Sequence, residues 1–298
     1  MKPESFSLHR HLTVAFVAAT AVAVAVGLSA CATPAPTSSH AASTSAAYLR
    51  MIENDGHRIA FHVTPGSLPA VVLDAGGGAD SSYWNILVPL LSAATGSEIV
   101  TYDREGMGGS DVVSGAYSMK REASDLHAGM KQLGIAGHSV LVSHSEAGEI
   151  ATSLVNEHPR DVEGAVLVDA SLPEFYTKTE IARVVAANTP EVAQLKKLTK
   201  LTPAERQLVA TAKDYAPEHA AYHELSWPAS VPATVIPSAS TPFPTAEDAN
   251  LWRQAQVDFA SAAANRRLVK APGTSHDVPL DAPQLVVREI TDMLTSVG

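Results

Sequence analysis

The chain has 298 residues, 46% of them hydrophobic, which suits one large α/β domain or one domain with an insertion. A formal net charge of −10, spread along the chain with no Lys/Arg stripe, excludes the basic footprint of a nucleic-acid-binding protein. No C-x-x-C, H-E-x-x-H or G-x-x-x-x-G-K-[ST] string occurs, so spacing signals neither a metal site nor a phosphate loop, and no cofactor is expected.

Lys2, Arg10 and neighbouring histidines form a mildly basic start, and residues 12–28 are an almost unbroken apolar run. Leu28-Ser29-Ala30-Cys31 follows, and Cys31 is the only cysteine. The string resembles the lipobox of bacterial lipoproteins. That resemblance implies a signal peptide over residues 1–30, acylation of the Cys31 thiol, and an extracytoplasmic body held to a membrane by the lipid. An uncleaved anchor or an ordinary signal peptide are competing readings with the same sidedness. Residues 31–47, dominated by Ala, Thr, Pro and Ser, cannot build a core and read as a flexible tether.

The body is expected over residues 48–298. Strand-like runs at 50–53 and 58–63 flank Asn54-Asp55-Gly56, a hairpin signal. Residues 70–73 form a short apolar strand that ends in Asp74-Ala75-Gly76-Gly77-Gly78, and a strand over 98–102 ends in Asp103-Arg104-Glu105-Gly106. A helix is expected over 119–133 and a strand over 140–142. A helix then shows Ala147, Ile150, Ala151, Leu154 and Val155 on one face. Strands follow at 164–168, ending at Asp169, at 231–236 and at 267–270. The last helix stripes Val286, Ile290, Met293 and Val297. Between Asp169 and the strand at 231, helical stretches at 180–187, 191–198 and 203–215 are punctuated by prolines, including Pro190 and Pro217, and read as a helical cap over 172–229. Short apolar strands alternating with amphipathic helices imply a parallel sheet covered on both faces, with sites at the carboxyl ends of its strands.

At one such end stands Val140-Leu141-Val142-Ser143-His144-Ser145-Glu146-Ala147-Gly148. A strand, a tight turn of small residues around one serine, and a helix form the layout of a nucleophile elbow. Ser143 and Ala147 stand where G-x-S-x-G has glycines, so the string departs from the motif while keeping small side chains. A plain core strand with Ser145 as a helix N-cap is the competing reading.

Together these features resemble the α/β-hydrolase fold over nearly the whole body, residues 50–298. Residues 71–84 are similar to the family's oxyanion loop, with its usual His-Gly replaced. YDREGMGGSD (102–111) is the most specific match. The elbow, its helix and VEGAVLVDA (162–170) follow, and PGTSHDVPLDAP (272–283) is similar to the loop bearing the family's histidine. The resemblance implies a mostly parallel sheet flanked by helices, with a small helical cap insertion.

A serine hydroxyl needs a base within hydrogen-bond reach and a group that orients the base. The expected order is Ser, acid, His. Ser145 is therefore the candidate nucleophile and His276 the candidate base. His144 points away from Ser145 if the turn is an elbow. His158 reads as a helix-end residue, His127 as part of a solvated face, and the Gly137-His138-Ser139 string lies on the wrong side of the strand. The family's common position for the acid, after the strand at 231–236, holds no carboxylate. Asp169 is the first candidate, with Asp248 and Glu247 as alternatives. The N–H groups of Glu146 and of Gly76 or Gly77 would form the oxyanion hole. The implied activity is that of a carboxylesterase on a small ester-like substrate. Amide, lactone or C–C bond hydrolysis shares the same chemistry, and a non-catalytic lipid-anchored binding protein is the alternative of a different class.

Overall fold

The computed structural model describes residues 46–298, and its centre is an eight-stranded sheet. The segment 1–30, Cys31 and the tether as far as residue 45 lie outside the described residues. The strands are β1 (Tyr48–Asn54), β2 (His57–Thr64), β3 (Ser67–Asp74), β4 (Ser97–Asp103), β5 (Ser139–His144), β6 (Gly164–Val168), β7 (Ala233–Ile236) and β8 (Arg266–Leu268). They lie in the order β1-β2-β4-β3-β5-β6-β7-β8. β2 pairs antiparallel with both β1 and β4, and every other pairing is parallel. The expected hairpin is present: Asn54 faces His57 across a two-residue turn in which Asp55 and Gly56 have φ of 44° and 82°. Positive φ at both central residues matches the twist of the flanking strands.

The helices are α1 (Leu87–Thr95), α2 (Met119–Leu133), α3 (Ala147–Glu157), α4 (Lys178–Leu195), α5 (Pro203–His223), α6 (Ala246–Ser261), α7 (Val278–Asp281) and α8 (Pro283–Val297). Alternate strand residues feed opposite layers, as the two-residue period of a strand requires. Val71, Leu73, Val140 and Val142 pack with Leu87 and Leu91 of α1 and with Val286, Ile290 and Met293 of α8. Ala70, Val72 and Leu141 face the other way, onto Leu126 and Met130 of α2 and Ile150 and Leu154 of α3. Both faces are covered, so the central strands read as continuous apolar runs.

The insertion between β6 and β7 is helical, as expected, but its prolines do not punctuate it as the sequence suggested. Pro190 lies inside α4 and Pro217 inside α5. Pro217 has no N–H for the carbonyl four residues back, and the helix departs from helical geometry nearby, at Asp214 (φ −124°, ψ 24°). Aromatic residues join this cap to the body: Phe175, Tyr176 and Tyr222 pack with Trp252 of α6. The described residues contain no helix long and apolar enough to cross a membrane.

α3 meets the segment after β6 at Gly148, where a Cβ would come 2.3 Å from the Ser171 carbonyl oxygen. That atom is backbone and cannot swing away. Gly148→Ala is therefore expected to lower stability by about 1–3 kcal/mol, the usual range for overpacking, measured by urea denaturation. An unchanged midpoint would show that α3 can slide off this contact.

Candidate active site

Segments that follow the carboxyl ends of β3 to β8 build the site. β5 ends at His144 and α3 starts at Ala147, so the chain reverses within Ser145 and Glu146. Ser145 takes the left-handed φ of 55°, a costly conformation for a residue with a Cβ. Three backbone bonds hold it there: Ser145 N–H donates to Val168 O (3.3 Å), and the N–H groups of Gly148 (3.0 Å) and Ser171 (2.8 Å) donate to Ser145 O. Ser143 and Ala147 are both buried, so small side chains other than glycine are accommodated on either side of the serine.

His276 follows β8 on the loop before α7. Its Nε2 lies 2.8 Å from Ser145 Oγ, and its Nδ1 lies 2.6 Å from Asp169 Oδ2. Asp169 is the first residue after β6, fully buried, with φ of 41°. Its carboxylate also accepts from Ser238 N–H (3.0 Å), Ser238 Oγ (2.6 Å) and Trp252 Nε1 (2.9 Å). Burial alone would push this carboxyl up; the hydrogen bond and charge of His276, with Ser238 and Trp252, hold it below its ordinary value. An ionised Asp169 places the imidazole proton on Nδ1 and leaves Nε2 free to accept from the serine hydroxyl. Ser145, His276 and Asp169 thus come together as one hydrogen-bonded chain. The alternative carboxylates do not join it: Asp248 and Glu247 open α6, where both bind Arg183 of α4.

The Gly76–Gly78 loop lies against the serine. A Cβ at Gly76 would sit 2.9 Å from Ser145 Cβ, so the close approach itself requires glycine. Among the described residues no acceptor engages the N–H of Gly76, Gly77 or Glu146. Two side chains absent from the sequence-level candidates hold this loop. Arg104, at the end of β4 and only 2% exposed, donates through Nη2 to Gly76 O (2.8 Å) and through Nη1 to Glu146 Oε1 (2.9 Å). A planar trans peptide then turns the Gly77 N–H away from Arg104. Gln207 of α5 accepts from Gly78 N–H (2.7 Å) and donates to Glu146 Oε1 (3.0 Å). Burial works against the Arg104 charge, but Glu146, Glu122 and Asp74 outweigh it. The YDREG string was the only sequence signal for Arg104; nothing in the sequence marked Gln207.

His144 does not reach toward Ser145. Its Nε2–H donates to the His276 carbonyl (3.0 Å), which buttresses the histidine loop from behind. Burial, reinforced by the His276 charge, lowers its pKa to about 3, so it stays neutral. The expected solvated face at His127 is a pairing instead: its ring stacks on His158 at 3.6 Å and its Nε2 meets Asp161 at 2.8 Å. His127, His158 and Asp161, and separately His57, Glu105 and Asp125, bring ligand-type atoms within 4.8 Å of one another, but neither group lines the pocket over Ser145.

A bound carbonyl would meet a hydroxyl backed by an imidazole and a buried carboxylate, beside free N–H groups. That arrangement can carry out nucleophilic acyl transfer.

The profile of the Alpha/beta hydrolase family matches residues 71–289. Among curated relatives, "Probable transporter efuK" of Hormonema carpetanum is 30% identical over 147 residues, which is 46% of this chain and 21% of that protein. "Bifunctional esterase/perhydrolase DCH" of Acinetobacter calcoaceticus is 32% identical over 117 residues, 39% of this chain and 41% of that protein. The chain thus spans less than half the length of these curated relatives. The solved structure of a thermophilic esterase from Thermogutta terrifontis matches with a TM-score of 0.59 at 21% identity, covering 84% of this chain and 99% of that one, a likeness of fold.

Asp74, at the end of β3, is buried with both carboxylate oxygens unpartnered. Burial pushes it up to about 7, against the opposing charge of Arg104. Folded-state pKa lies above the unfolded one, so ionising Asp74 costs the folded state, and stability is lost as pH rises toward about 7. The advantage of Asp74→Asn over wild type is expected to grow between pH 4 and 7 and then level off, on the order of 4 kcal/mol for a shift of roughly three units. Thermal melts across pH measure it; a difference that does not vary with pH would contradict the assignment.

Proposed function

The chain belongs to the alpha/beta hydrolase family, and on that premise we propose that it is a serine hydrolase acting on ester-like carbonyls through an acyl-enzyme, a carboxylesterase in type. The observation that carries this reading is the hydrogen-bonded chain Ser145–His276–Asp169, with links of 2.8 and 2.6 Å.

In this mechanism Ser145 Oγ attacks the carbonyl carbon while His276 Nε2 takes its proton. Asp169 keeps the Nδ1 proton in place and stabilises the imidazolium that forms. The N–H of Glu146 and that of Gly76 or Gly77 receive the negative charge developing on the carbonyl oxygen. The tetrahedral intermediate collapses, His276 returns its proton to the departing alcohol, and Ser145 is left acylated. Water, deprotonated by His276, then attacks the acyl carbon. The carboxylic acid leaves and the serine hydroxyl is restored. Arg104 and Gln207 act on this sequence indirectly, by fixing the loop and Glu146 that carry the N–H donors. A serine at the elbow supports acyl transfer over chemistries of this fold that need a carboxylate nucleophile.

The N-terminal string supports a location for this activity. Cleavage before Cys31 and acylation of its thiol would hold the hydrolase outside the cytoplasm on a short tether. In cells, full-length protein is expected to fractionate with membranes and to incorporate a labelled fatty acid, both lost in Cys31→Ser. Unchanged fractionation with no lipid label would favour an uncleaved hydrophobic anchor.

Purified residues 32–298 should hydrolyse p-nitrophenyl esters and be labelled at Ser145 by a fluorophosphonate. Ser145→Ala is expected to lose about 10³-fold or more in kcat and Asp169→Asn a comparable amount. Asp248→Asn, outside the Ser145–His276–Asp169 chain, should stay within about threefold of wild type, a change of roughly 0.65 kcal/mol. Turnover that survives Ser145→Ala would overturn the mechanism, and folded protein that neither turns over nor labels would favour a binding role.

A further inference from the structure

Away from the pocket, two clusters among the described residues gather side chains of the kinds that ligate metals: His57 with Glu105 and Asp125, and His127 with His158 and Asp161. In the first, protein donors already take the carboxylates. Both Glu105 oxygens bind Arg121 at 2.6 Å, and Asp125 accepts from Asn54 (2.7 Å) and meets His57 (2.8 Å). The second has ligand atoms to spare. His127 Nε2 meets only one oxygen of Asp161, Oδ2, at 2.8 Å. The half-buried His158 ring makes no hydrogen bond among the described residues, and neither of its nitrogens is fully enclosed. Solvent and its ions can therefore reach the cluster.

The backbone holds these three groups together. His127 stands on α2, and His158 caps α3, its N–H donating to Leu154 O (2.8 Å). Asp161 closes the turn that follows: its N–H donates to His158 O (3.0 Å), and its carbonyl accepts from Gly137 N–H (2.8 Å). The two imidazoles stack with centroids 3.6 Å apart and planes 17° from parallel. One ligand atom from each residue lies within 4.8 Å of the other two. Tetrahedral zinc, with bonds of about 2.0–2.1 Å, needs ligand atoms roughly 3.4 Å apart, so the cluster has to contract by about an ångström. Tilting the two half-buried rings about χ2, a broad torsion in histidine, supplies that. The carbonyl end of α3 carries partial negative charge, which favours a cation here. Lys131, one turn on from His127 along α2, opposes it and limits the affinity. Two imidazoles and one carboxylate are the donors of zinc-class ions, whereas calcium and magnesium prefer oxygen alone.

We propose that His127, His158 and Asp161 bind one divalent transition-metal ion of the zinc class, with water completing its coordination. The ion acts as a staple. α3 runs 11 residues, about 16 Å, from the elbow to His158, so the ion sits far from Ser145. It ties α2 to the turn after α3 across 34 residues of chain, and a metal clip that closes a loop of that length stabilises the fold. Cys31 is the only cysteine, so no disulfide within the chain can do the same.

Zinc itself is the probe. Purified full-length protein, stripped with a chelator, is dialysed against buffered zinc beside His158→Gln, Asp161→Asn and His57→Gln. Wild type is expected to take up one equivalent more than His158→Gln or Asp161→Asn, with micromolar affinity, and the same amount as His57→Gln. The subtraction cancels whatever Cys31 and the remaining histidines bind. Zinc at roughly tenfold over its dissociation constant should raise the wild-type melting temperature by about 3–5 °C, with no rise in the two ligand variants. Magnesium should leave the wild-type melt unchanged. A wild-type melt that zinc does not raise overturns the proposal, whether or not the variants fold. A rise that survives both His158→Gln and Asp161→Asn, or an equal rise with magnesium, also overturns it. Loss of the equivalent in His57→Gln overturns it in favour of the other cluster.

Discussion

The carboxylate of Asp169 is the point on which the site depends. It is fully buried, and the effective cost of removing such a charge from water is several kcal/mol. Four donors offset that cost: Ser238 through N–H and Oγ, Trp252 and His276. Hydrogen bonds to a charged group contribute about 1.5–3 kcal/mol each, so removing any one leaves the charge poorly compensated. The donors come from the loop after β7, from α6 and from the loop after β8. One charge therefore gathers three segments at the carboxyl edge of the sheet and sets where His276 stands. Trp252 also packs with Phe175 and Tyr176, so the same residue ties the cap's aromatic cluster to the carboxylate.

Much of this was readable in the sequence where the physics is local. Residues 164–168 are apolar on both faces because helices cover both, and the observed strand has those same bounds. Asp55-Gly56 satisfies a turn that needs two positive φ values, so the hairpin could be named from two residues. Asp169 could be placed first among the carboxylates by its position after a strand, although only the fold brings it to His276, 107 residues away. Where contacts are distant and polar, the sequence is silent. Gln207 lies 129 residues from Gly78 and resembles any polar residue of a surface helix. α6 escaped notice because its buried Trp252, Ala255 and Phe259 are interleaved with polar residues and give only a weak stripe. Pro190 and Pro217 misled because proline is a weaker stop signal in a helix already held by tertiary packing.

The elbow shows how a motif can shift while its constraint stays. The close approaches that exclude a Cβ fall at Gly76, against Ser145, and at Gly148, against Ser171 O. The residues two before and two after the serine, where the usual string has glycine, are Ser143 and Ala147, and both fit. What the geometry conserves is the positive φ of Ser145 and the free N–H of the next residue, and these are met by three backbone hydrogen bonds around the turn.

Gln207 has a consequence for the cap as a module. Its two hydrogen bonds join α5 to Gly78 on one side and to Glu146 on the other, so the lid over the pocket is also a brace for the loop beneath it. Grafting a different lid onto this body to change its substrate range would remove that brace along with the old pocket wall. A transplanted lid would need its own amide at the same place, or the chimera would bind a new molecule over a slackened floor. Cap and body are thus separable in sequence but not interchangeable in working parts.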